Sequence, residues 1–130
     1  MEFLIVIAAG LASYVFGAVW YMALASTWMD AAGIEADENG RPPNAGAMPY
    51  VIAFVCAVIV AGMMRHVFVL SGIETVGSGL IAGLGVGLFL VTPWIATNYV
   101  FADRNRRLIL IDGGFATGGC TLMGVVLTVL

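Results

Sequence analysis

The chain has 130 residues, 62% hydrophobic and 10% charged, with a formal net charge of −3. Its mean hydropathy of +1.04 excludes a water-soluble domain, whose surface needs far more charge. The 5 basic residues, all arginine, are too few to track a phosphate backbone, so nucleic acid is excluded as a partner.

A spanning helix needs ~20 predominantly apolar residues, and four runs qualify, at about 3–24, 48–70, 77–101 and 108–130. They are apolar on all sides rather than alternating, which rules out a closed barrel. The predicted fold is all-α: a polytopic four-helix transmembrane bundle, one membrane domain over 1–130, with a loop over 25–47.

The first run ends in Ala23-Leu24-Ala25, which imitates a small-x-small cleavage site. It lacks a positive leading region and its apolar stretch is too long for a secretory signal, so a retained anchor is expected. Ala9, Ser13 and Gly17 form a row of small residues on it. Such rows let helix backbones approach closely in lipid, where hydrophobic exclusion cannot drive association. Trp20 and Tyr21 close this run at a depth suited to packing on the third and fourth helices. Trp28, Tyr50 and Tyr99 read as interfacial anchors.

The loop carries Asp30, Glu35, Asp37, Glu38 and Arg41 around an Asn39-Gly40 and Pro42-Pro43 stretch. The second run offers Ala53, Ala57 and Ala61 as its small row. Near its end stand Arg65, read as a snorkelling or ion-paired arginine, and His66, within reach of Glu74. Cys56, Met63 and His66 make no sufficient metal set, and no metal or cofactor is expected.

The third run has the clearest packing stripe, Gly79, Gly83 and Gly87. Pro93 removes the hydrogen bond to the Phe89 carbonyl and should bend the helix. Thr97 and Asn98 follow before the exit at Phe101. The fourth run carries Gly114 and Gly118 for packing and Asp112 shortly after its start. An ionisable group within a span costs ~2.5–3.5 kcal/mol at the centre and less near the ends, so it is retained for a partner or a task. Two readings of Asp112 stand: a proton- or cation-handling group, or a carboxylate near a helix start pairing with Arg104, Arg107 or Asn98. Trp20, Tyr21, Asn98 and Asp112 should share one depth and form the candidate polar cluster.

Arg41, Arg104, Arg106 and Arg107 fall in the first and third loops and only Arg65 on the other side. By the positive-inside rule the loops holding the larger set face the cytoplasm and both termini face outward. No duplication relates the halves, no nucleotide fingerprint follows the glycines, and no nucleophile, base and acid are spaced for catalysis. An enzyme is not expected.

The sequence Gly17-Ala18-Val19-Trp20-Tyr21, then Trp28, then Thr97 to Phe101, then Leu110 to Phe115 resembles the bacterial membrane family catalogued as domain of unknown function 1761. The likeness runs through nearly the whole chain, with Ala102 where members often have glutamate. It implies four spans and a shared cluster at Trp20, Tyr21, Asn98 and Asp112, and brings no activity with it. The expected function is that of an inner-membrane accessory or assembly protein, acting through helix contacts in a homo-oligomer or a larger complex. The alternative is an oligomeric small-solute or proton-coupled carrier with a cytoplasm-side polar site.

Overall fold

The computed structural model describes residues 2–35, 38 and 46–130. Asp37, Arg41 and the Asn39 to Pro43 stretch of the loop lie outside the described residues. The elements are α1 (Glu2–Ala23), α2 (Ala25–Ala32), α3 (Ala47–Ser71), α4 (Val76–Gly85), a π-helical segment (Val86–Val91), α5 (Thr92–Phe101) and α6 (Arg107–Val129). Among the described residues there is no strand. Four helices, Glu2–Ala23, Ala47–Ser71, Val76–Phe101 and Arg107–Val129, are long and apolar enough to cross a membrane, and the chain is an all-helical polytopic membrane protein.

Two differences from the sequence reading concern local structure. The beginning of the expected 25–47 loop is helical: α2 turns off α1 at Leu24 and stops at Gly33, whose φ of +72° is left-handed. Glycine takes that backbone at no steric cost and closes the helix, as Gly72 does for α3 with φ of +68°. The third span is broken differently from a simple proline bend. The turns before Pro93 widen into the π segment, and the Gly87 carbonyl accepts both the Thr92 backbone N–H and the Thr92 hydroxyl at 2.7 Å. A proline here lacks a donor and crowds the preceding turn. The wider turn makes room, and the threonine takes up the displaced carbonyl.

Helix α6 is the axis of the bundle and has the most buried positions, among them Ala116, Gly119, Cys120, Met123 and Gly124. Its neighbours meet it through residues without bulk. A Cβ at Gly79 would stand 2.5 Å from the Gly124 carbonyl oxygen, at Gly83 2.3 Å from that of Cys120, and at Gly87 2.5 Å from the Thr117 Cα. The glycine stripe of the third span is therefore spent inside the chain, on α6. On the other side of α6 the fit is ring into groove: Phe115 lies against Gly17, Phe16 against Gly118 and Trp20 against Gly114. Each close atom pair gains only ~0.1–0.2 kcal/mol, so it is the number of such pairs along backbones in contact that holds a lipid-embedded bundle.

Helix α3 is the outer member. It packs mainly on α1, with Gly10 meeting Val58, and its buried residues Ala61, Met64 and Phe68 all lie in its second half. Its first half faces outward through Met48, Val51, Ile52, Val55 and Ile59. The larger core cluster gathers Ala9, Ala61, Met64, Phe68, Cys120, Met123 and Leu127 toward one end. A smaller one, Ala31, Leu108 and Ile111, lies at the other end beneath α2.

Candidate functional site

Asp112 sits in the second turn of α6, half-buried at the end of the bundle that α2 covers. Its two oxygens are both taken by phenols. The Tyr21 hydroxyl, from the end of α1, donates to Oδ1, and the Tyr99 hydroxyl, from the end of α5, donates to Oδ2. A carboxylate offers acceptors only, so two hydroxyl donors match its two oxygens. One side chain thus joins the first, third and fourth spans.

Beside it, the Trp20 indole N–H donates to the Ile111 carbonyl at 2.9 Å, and the ring lies over Gly114, where a Cβ would come within 2.7 Å of Cζ2. The Tyr21 ring meets Trp28 edge-on at 6.3 Å and Phe115 edge-on at 5.4 Å. Helix α2 is tied over this aromatic packing by charge. Arg107 forms an ion pair with Asp30 at 2.7 Å, and Arg104 donates to the Ala32 carbonyl at 3.3 Å.

Below the carboxylate is a second polar layer between the third and fourth spans. The Thr92 hydroxyl, besides its bond to Gly87, lies 3.3 Å from the Gly113 carbonyl, which also accepts from Thr117 at 2.8 Å. Hydroxyls of this kind satisfy backbone carbonyls where no water is at hand.

Of the residues singled out from sequence, the structure brings Tyr21 and Asp112 into direct contact and sets Trp20 against the same turn of α6. Asn98 is exposed and makes no side-chain hydrogen bond among the described residues. Arg104 and Arg107, expected as partners of Asp112, are engaged with α2 instead. The residue that sequence reasoning missed is Tyr99, taken for an interfacial anchor. Trp28 also turns inward, against Tyr21. Pro93 stands just past the π segment on an exposed position. At the opposite end Arg65 pairs with Glu2 at 3.0 Å, and among the described residues His66 and Glu74 form no ion pair. No group of His, Cys, Asp and Glu among the described residues is arranged to hold a metal.

The family model described as a protein of unknown function, DUF1761, matches residues 4–128. The chain belongs to this family. No curated protein and no solved structure matches it. The DUF1761 match spans all four membrane helices and every residue of the Asp112 cluster. The pieces that suggested DUF1761, the Trp20-Tyr21 pair, the Asn98-Tyr99 step and the Asp112-Gly113-Gly114 turn, converge on one end of the bundle.

Proposed function

We infer that this is an accessory or assembly protein of the bacterial inner membrane, working through contacts between its own helices and those of a second copy or a larger complex. The observation that carries this reading is the occupation of Asp112. Both oxygens are taken by hydroxyls of the same chain, and rings of Trp20 and Phe115 pack into the neighbouring glycine positions. A polar group so enclosed serves as a clasp that fixes the relative placement of three helices. The glycine rows are also used internally, which leaves the contact surface to the larger side chains. Phe89, Trp94 and Phe101 stand 76%, 67% and 87% exposed along the third span, and the first half of α3 adds an aliphatic face. The third-loop arginines lie beside α2, so the positive-inside rule places this end in the cytoplasm and both termini outside.

The deciding experiment pairs native mass measurement after gentle extraction with flux assays in proteoliposomes. The expected result is a homo-oligomer or a partner complex, with proton and solute flux at background. Gradient-driven flux by the parent that disappears in Asp112→Asn would overturn the reading in favour of an oligomeric carrier.

A further inference from the structure

At the end of the bundle away from Asp112, a groove of about 550 Å³ runs between the start of α1 and the end of α3. Its walls are Phe3, Val6, Val58 and Val69, with Gly62 along the floor and Glu2, Arg65 and His66 at the rim. Gly62 differs from the packing glycines. A Cβ there would meet only Val6 Cγ1, at 3.7 Å, so helix contact does not demand a glycine, and its effect is to leave the trough open.

The rim is under-satisfied. One terminal nitrogen of Arg65 pairs with Glu2 at 3.0 Å, and the other reaches the Leu127 carbonyl at a long 3.4 Å. The Arg65 Nε has no partner among the described residues but is shielded from solvent, so the donors that a ligand in the groove can reach are those of the two terminal nitrogens. A guanidinium has five N–H donors arranged to grip an oxyanion side-on, and here a single carboxylate, 72% exposed, holds one edge. Arg65 lies six residues before the end of α3 at Ser71, or ~9 Å along the helix at 1.5 Å per residue. From that depth a long arginine side chain reaches the headgroup level.

We propose that this groove is a phospholipid site. One acyl chain lies on Gly62 between the valine walls, and the phosphodiester sits against Arg65 and His66 in the leaflet that holds Glu2 and Ser71. The charge complementarity lies in this rim: Arg65, held only in part by Glu2, stands with His66 at phosphate depth over a trough walled by Phe3, Val6, Val58 and Val69. The inference needs only membrane insertion and is independent of the accessory reading.

The test is native mass spectrometry of the full chain in mild detergent. It is titrated with phosphatidylglycerol, with diacylglycerol of the same chains, and with inorganic phosphate. The parent should retain one phosphatidylglycerol about tenfold or more better than the diacylglycerol, the effect of a charge-assisted contact to phosphate, and should not retain inorganic phosphate. Arg65→Gln should erase that preference while chain binding persists, and Gly62→Leu should abolish retention of both lipids. Equal retention of the two lipids by the parent, which requires no variant to fold, would overturn the proposal. So would unchanged phosphatidylglycerol binding in Gly62→Leu, or binding of inorganic phosphate alone.

Discussion

Tyr21 and Tyr99 hold opposite oxygens of Asp112, so removing either hydroxyl leaves a half-buried acceptor unpaired. Hydrogen bonds to charged groups contribute ~1.5–3 kcal/mol. Tyr21→Phe and Tyr99→Phe should each lower stability by about that amount, read from unfolding in mixed micelles. The double variant should depart from additivity, because both act on one carboxylate. Additive losses would mean that the two phenols do not share Asp112. Half of this arrangement is legible in the sequence: an acidic residue near the start of the last span and a Trp-Tyr pair ending the first point to each other by depth alone. The other half is not, because Asn98 rather than Tyr99 occupies the position that regular helical spacing brings round. Asn98 lies eleven residues after Gly87, which at ~100° per residue is three turns plus ~20°, the same face as the glycine stripe. The π segment holds one residue more than an α-helical turn, which rotates everything after it by ~100° and brings Tyr99 to that face.

Among the elements, the third span and α6 form the tightest contact, and the two glycine classes in the third span predict opposite outcomes. Gly83→Ala would push a Cβ to 2.3 Å from the Cys120 carbonyl oxygen, backbone that cannot move aside, at a cost of ~1–3 kcal/mol. Gly85→Ala meets nothing within 4 Å and gains up to ~1 kcal/mol of helix propensity. Denaturation of the two variants side by side checks this, and equal effects would argue that the stripe does not meet α6. Thr92→Val should be destabilising by ~0.6 kcal/mol, typical of hydrogen bonds within membranes. Thr97→Val, which loses only an exposed bond to the Pro93 carbonyl, should be close to neutral. The spans themselves are read from sequence within a residue or so at each end, because hydropathy reports length directly. Helix α2 escaped because eight residues of mixed polarity carry no periodic signal, and its position depends on Asp30 meeting Arg107 across a sequence separation of 77.

At the scale of the whole molecule, charge and packing divide the protein into two ends. One holds α2, Arg104, Arg106, Arg107 and the Asp112 clasp, and the other holds the Arg65 and Glu2 pair. The arginine bias predicts that a membrane-impermeant thiol reagent labels Glu74→Cys from outside intact cells and Glu35→Cys only after the membrane is opened, each in a background free of the native cysteines. The reverse pattern would invert the topology. The fold class was legible because composition alone leaves few solutions in lipid. The order of packing was not, since small-residue rows occur on every span and spacing cannot tell which row meets which. Only the structure shows that α6 receives two of them while α3 stays at the edge.

The π segment lets the third span hold one residue more than a regular α-helix without losing register. The glycine stripe before it and Tyr99 after it address the same neighbour, and in this chain they agree in phase because the π turn absorbs the extra residue. Deleting one residue between 88 and 91 would leave Tyr99 eleven residues after Gly87, so a regular α-helix would still carry the phenol to Asp112. Straightening the segment at its present length would instead rotate Asn98 toward Asp112 and turn the phenol out to lipid. Insertions and deletions in a membrane helix are usually thought of as changes in thickness. In this helix the π turn can give up its extra residue without loss of register, while a residue gained without a second such turn would act as a change of address.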